Sequence, residues 1–172
     1  MEYELLIREA EVEDAAELVS FLNRVSVETD FTSLDRDGIL MTDTEMELFL
    51  DKQAHSENQI TLLALLNDEI AGIVNITADQ RKRVRHIGDL FIVIGKRYWN
   101  NGLGSFLLEE AIEWAQASGI LRRLQLTVQT RNQAAVHLYQ KHGFITEGRQ
   151  ERGAYIEEGK FIDVYLMGKL ID

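Results

Sequence analysis

The spacing of apolar and polar residues changes several times along the chain, and each change marks a new element. Residues 4–9 (ELLIRE) read as a first strand. From Val12 to about Val25, Ala15, Leu18, Val19 and Leu22 recur at the three-and-four spacing of one helix face. Residues 30–41 (DFTSLDRDGILM) carry no period and read as a loop. Thr42-Asp43-Thr44-Glu45 has the form of a capping box, and the helix it opens runs through Met46, Phe49 and Leu50. The period then shortens. Ile60 to Leu66 predicts a strand, Asn67-Asp68 a hairpin turn, and Glu69 to Thr77 the returning strand. Arg85 to Ile94 is a further strand, ending in the apolar run expected at a sheet centre.

A helix is predicted from about Leu103 to Ser118, with Leu107, Ala111 and Trp114 on one face and Gly119 at its C-terminus. Arg123 to Val128 reads as a strand, and Asn132 to Lys141 as a short helix capped by Asn132 and closed by Gly143. Strands at about 144–152 and 161–169 complete the order. Strand, two helices, three strands, helix, strand, helix and two strands predict an α/β fold. It has a mixed sheet of about seven strands with helices on both faces, spanning residues 1–172 as one domain.

Composition narrows the chemistry. The chain has 172 residues, enough for one self-sufficient core, and proline is absent, so Gly, Asn, Asp and capping residues set the element ends. It has no cysteine, which removes disulfides, thiolate metal sites and cysteine nucleophiles. His137 and His142 lack the Glu of a zinc-protease motif, so no metal is expected. A net charge of −11 argues against a nucleic-acid partner, and the basic stretch Arg81-Lys82-Arg83-Val84-Arg85 reads as a solvated loop or strand edge. The same charge suits a cationic small partner. No apolar run reaches the length of a membrane span, and the start lacks a secretory layout, so a cytoplasmic location is expected. A homodimer stays open.

The chemistry concentrates in Gly95-Lys96-Arg97-Tyr98-Trp99-Asn100-Asn101-Gly102-Leu103-Gly104-Ser105, where an apolar strand passes into a helix. Glycines without a Cβ let backbone approach a ligand closely, and unpaired N–H groups at a helix start attract an anion such as a pyrophosphate. A nucleotide P-loop needs Gly-Lys-Ser/Thr after the second glycine, but Ser105 and Phe106 follow Gly104. A dinucleotide fingerprint needs Gly or Ala where Leu107 stands. Both readings fail, leaving a plain glycine turn or an anion loop of another kind.

The surroundings decide between these two. FIVI, RYWNNGLG, SFLLEEAIEWA, LQLTVQTRN and AAVHLYQKHGF, in that order, resemble the GNAT superfamily of N-acetyltransferases over roughly residues 58–150. Trp99 stands where that family usually has Gln or Arg, as in the branch with ribosomal-protein alanine and spermidine acetyltransferases. The resemblance implies acetyl-coenzyme A as cosubstrate and an amine as acceptor. It implies that Ile92, Val93 and Ile94 pair with the pantetheine arm, and that Asn100, Asn101, Gly102, Leu103, Gly104 and Ser105 surround the pyrophosphate. Asn132 would contact the cofactor, with Ala134 and Ala135 small enough for close approach, and Tyr139 would protonate the departing thiolate.

Asn132 and Tyr139 are seven residues apart, so they lie about 20° apart around a helix axis. From spacing alone Asn132 is equally an N-cap, and Tyr139 reads rather as a core aromatic near Ala135, Leu138 and Phe144; the resemblance is what favours the acid role. An amine must lose a proton before it attacks, to a carboxylate, a histidine or a water chain. Asp89, interrupting the apolar strand, is one candidate; His86 is another, on the opposite sheet face, so only one can face the site. Tyr155, Glu157 and Asp163, in the tail that resembles the hairpin closing the acceptor site, read as cation contacts or loop decoration. A second function class, a coenzyme-A-binding module without transfer, fits the same loop.

Overall fold

A computed structural model describes residues 4–157 and 159–172. The elements fall in the predicted order. They are β1 (Leu5–Glu9), α1 (Ala15–Glu28), α2 (Asp43–Ala54), β2 (Ile60–Leu66), β3 (Glu69–Ala78), β4 (Ile87–Ile94), α3 (Leu103–Ala117), β5 (Arg123–Gln129), α4 (Gln133–Lys141), β6 (Ile145–Ile156) and β7 (Lys160–Leu170). The seven strands form one sheet in the order β1-β2-β3-β4-β5-β7-β6. Every neighbouring pair is antiparallel except β4 and β5.

Local chemistry explains most boundaries. Asn67 and Asp68 both adopt left-handed φ, as a tight two-residue hairpin requires. Thr42 accepts a hydrogen bond from Glu45 N at 3.1 Å while Glu45 Oε1 accepts from Thr42 N, so the capping box forms. Thr42→Ala is expected to cost about 1 kcal/mol, read as a lower denaturation midpoint at unchanged m-value. Several boundaries differ from expectation, among them the end of β6 at Ile156 in place of about 152 and that of α1 at Glu28 in place of about Val25. The first helix starts at Ala15, behind a 3₁₀ turn at Val12–Asp14, because the Asp14 carboxylate accepts from Arg8 at 2.7 and 2.8 Å and from Glu11 N. β4 starts at Ile87, because residues 81–85 close a turn with Arg85 N donating to Arg81 O.

Apolar side chains divide between the two faces of the sheet. On one face Leu18, Phe21, Val25, Met46 and Leu50 from α1 and α2 pack on Leu63, Ile73 and Val93. On the other, Leu107, Leu108, Ala111 and Ala115 of α3 pack with Tyr139 and Phe144 on Val74, Leu124 and Leu126. Each fully buried Leu contributes about 1.5–3 kcal/mol. The two layers leave one discontinuity: β4 and β5 pair only at Ile87↔Arg123, Gly88↔Leu124 and Asp89↔Gln125. Beyond that point they separate.

Candidate active site

The gap between β4 and β5 opens into a cavity of about 840 Å³, inside the range of roughly 300–1,000 Å³ typical of small-molecule sites. Backbone alternation dictates what faces the gap. Gly95 N donates to Ala71 O, so by strand alternation the polar groups of Val93 and Phe91 point at β3, and those of Leu90, Ile92 and Ile94 at the gap. Val93 lines the cavity without presenting its N–H there. The Ile94 carbonyl is already taken, accepting from Trp99 Nε1 at 2.9 Å. The Trp99 indole, a departure from the family's loop pattern in the sequence, ties the loop back to the strand it leaves.

That loop turns sharply. Asn100 and Gly102 both lie in the left-handed region, at φ 63° and 78°. Gly102 is the N-cap of α3 and supplies no side chain to satisfy the first turn, unlike Thr42 on α2 and Asn132 on α4. The opening N–H groups of α3 therefore border the cavity carrying the positive end of the helix dipole. Gly104 is small for a packing reason: a Cβ there would come within 3.1 Å of Leu138 on α4. Asn100, Gly102, Leu103, Gly104 and Ser105 all line the cavity. Asn101 is not in the lining; its side-chain amide donates to Tyr98 O at 3.3 Å and braces the loop.

From α4, Asn132, Ala134, Ala135, Leu138 and Tyr139 line the same cavity. Asn132 Oδ1 accepts from Ala135 N at 3.3 Å, so the N-cap is formed. Tyr139 is 7% exposed, with its ring 5.8 Å from that of Phe144, and burial pushes its phenol pKa well above the ordinary value. The hydroxyl stays protonated throughout the neutral range, the state in which it can donate a hydrogen bond.

Asp89 lines the cavity and accepts from Gln125 Nε2 at 2.8 Å. His86 lies outside the lining, ahead of β4, its carbonyl accepting from the Arg122 and Arg123 amides. Tyr155, Glu157 and Asp163 do not border the cavity either. Asp163 pairs with Arg149 at 2.8 Å, Glu157 with Arg36, and the Tyr155 hydroxyl accepts from Gly159 N. The terminal hairpin instead contributes Gly153, Ala154, Val164 and Leu166.

Sequence reading missed one whole wall. Thr29, Phe31, Thr32 and Ser33, from the aperiodic segment after α1, line the cavity together with Gln125, Thr127 and Gln129 of β5. The signal lay in β5 itself: LQLTVQ alternates polar residues along a central strand, which marks an uncovered face. Among the described residues there is no cluster of three metal-ligating side chains, and no helix long and apolar enough to cross a membrane.

Known proteins share this family and fold. The model of the acetyltransferase (GNAT) family matches residues 18–144. The chain is 32% identical over 109 residues to the L-amino acid N-acetyltransferase AaaT of Escherichia coli, spanning 63% of this chain and 67% of that enzyme. A crystal structure of a GNAT-family acetyltransferase from Streptococcus pneumoniae is 87% identical, with a TM-score of 0.96 over 98% of this chain and 100% of that one. A phosphinothricin acetyltransferase from Sinorhizobium meliloti, solved in complex with acetyl-coenzyme A, shares the fold at TM-score 0.83 and 18% identity, over 97% of this chain and 88% of that one. The strand gap, the uncapped helix start and the buried tyrosine thus sit in a chain that belongs to the GNAT family of N-acetyltransferases.

Proposed function

We propose that this chain, working as one domain in the cytoplasm, transfers acetyl from acetyl-coenzyme A directly to a primary amine. The observation that carries the reading is that the uncapped start of α3 and the Tyr139 side chain face one cavity, at the point where β4 leaves β5. The open amides and the dipole of α3 suit the pyrophosphate, and Gly102 and Gly104 keep side chains out of its way. Ile92 offers an unpaired N–H and carbonyl, and Ile94 an N–H, to the amide groups of pantetheine. Asn100, Leu103, Ser105, Asn132, Ala134 and Ala135 complete the cofactor wall, and Asn101 supports it from behind.

The acceptor arrives as an ammonium ion and must lose a proton; Asp89, an acceptor-only group held by the Gln125 amide, takes it. The amine nitrogen then bonds to the acetyl carbon, the carbon–sulfur bond breaks, and the thiolate receives a hydrogen bond or proton from Tyr139. No enzyme nucleophile is needed, consistent with a chain that has no cysteine. Titration calorimetry with coenzyme A, followed by thiol-release assays on polyamines, amino acids, alkylamines and N-terminal peptides, tests this. Binding together with acceptor-dependent thiol release is expected. Binding with no release across the panel leaves the non-catalytic module instead.

A further inference from the structure

Part of the cavity lining comes from a segment that has no regular structure of its own, from Thr29 to Ser33. Two residues at the end of β5 hold it. Gln129 Nε2 donates to Asp30 O at 2.7 Å, and Arg131 Nη2 donates to Asp30 Oδ1 at 2.6 Å. Arg131 Nε donates to Gln129 Oε1 at 2.8 Å, which fixes the amide so that its nitrogen must point at Asp30. The Arg131 guanidinium also lies 4.9 Å over the Phe31 ring. Gln129 is only 5% exposed, so its bond to Asp30 O is shielded from water, while the Arg131–Asp30 pair lies at the surface. The latch spans about a hundred residues of sequence and sets one aromatic ring into the cavity wall.

The chemistry of that wall is selective. Phe31 shares it with Phe91, Val164 and Leu166. The one cation in the lining among the described residues, Arg123, is bound to Glu147 through Nη1 at 2.9 Å and to Gln125 through Nε at 3.0 Å. Besides the apolar residues, the described lining holds neutral polar groups such as Thr29, Thr32, Ser33 and Thr127, and the carboxylates of Asp89 and Glu147, the latter paired with Arg123.

We propose that Phe31, fixed by Arg131 and Gln129, determines acceptor specificity, and that the acceptor carries its amine on an apolar body with no carboxylate beside it. This rests on the acyl-transfer reading of the cavity. Arg131 and Gln129 are positioning residues that act through Phe31. An unlatched segment would have to be ordered by the acceptor, at an entropic cost that appears in KM. A carboxylate beside the amine would lose water without gaining a free cation, and would stand near Asp89.

2-Phenylethylamine and L-phenylalanine differ by one carboxylate, and with spermidine they form the test set for wild type, Phe31→Ala, Arg131→Gln and Arg131→Lys. Wild type is expected to favour 2-phenylethylamine over the other two. Phe31→Ala and Arg131→Gln are expected to raise its KM about tenfold, with kcat and the coenzyme A Kd little moved, and Arg131→Lys to recover part of the loss. Unchanged KM, or coenzyme A affinity falling in parallel, overturns the latch. Preference for L-phenylalanine or spermidine overturns the acceptor class. Coenzyme A binding without thiol release from any of the three defeats the acyl-transfer reading itself rather than the latch.

Discussion

Replacing Tyr139 with Phe is expected to lower kcat about a hundredfold, the lower range for loss of a positioned proton donor, while the Kd for coenzyme A stays close to wild type. The ring is the part of Tyr139 that packs, against Phe144 and within the core beneath α3 and α4, and Phe preserves it. Only the hydroxyl disappears, and that is the group we propose meets the thiolate. Single-turnover rates beside calorimetry separate the two effects; equal turnover in mutant and wild type on the true acceptor would end this assignment.

The variant has a second signature. Burial raises the phenol pKa in the folded chain above its ordinary value of 10.0. Above that pH the unfolded chain releases the proton while the folded chain keeps it, so the folded chain binds more protons and stability falls as pH rises. Tyr139→Phe is expected to flatten that alkaline loss, seen as a smaller drop in Tm at high pH.

The other large effect is expected at Gly102. Its φ of 78° is one that β-branched residues avoid, while a Cβ would meet nothing nearer than Phe106 at 4.0 Å. The obstacle is therefore the backbone and not space. Gly102→Val must either hold strain of about 1–3 kcal/mol or turn the loop away. Either outcome moves the first amides of α3, and coenzyme A affinity is expected to fall at least about tenfold, since lost donors to a charged group cost roughly 1.5–3 kcal/mol. Gly119→Val is the matched control, because Gly119 has φ 68° with nothing within 4 Å and lies at the far end of the same helix. It should lose stability and keep affinity. Equal affinity loss at both positions would point to general destabilisation.

The part of the cavity lining that we assign to the cofactor was legible in the sequence because it is local. The loop from Asn100 to Ser105 and the helix from Asn132 to Tyr139 each carry their geometry in a few consecutive residues, with glycine and capping signals that have fixed physical meanings. Element order was legible for the same reason, and Thr42-Glu45 and Asn67-Asp68 form the caps and turns their residue types predict. The part that we assign to the acceptor was not. Phe31 belongs there only because Asp30 meets Gln129 and Arg131 across the fold, and no spacing rule links those positions. Of the two readings left open for Glu157 and Asp163, their place outside the lining favours loop decoration, with their charges engaged by Arg36 and Arg149.

The three-residue contact between β4 and β5 has a mechanical side. β1 to β4 form one paddle and β5, β7 and β6 another, and in the sheet itself they join only from Ile87 to Asp89 and from Arg123 to Gln125. A chain of peptide-like groups lying in the opening would span both paddles where the protein's own ladder stops, so a bound guest would serve as the rung the sheet lacks. Stiffness across the middle of the molecule would then depend on occupancy, and each turnover would slacken and retighten the hinge between the two halves.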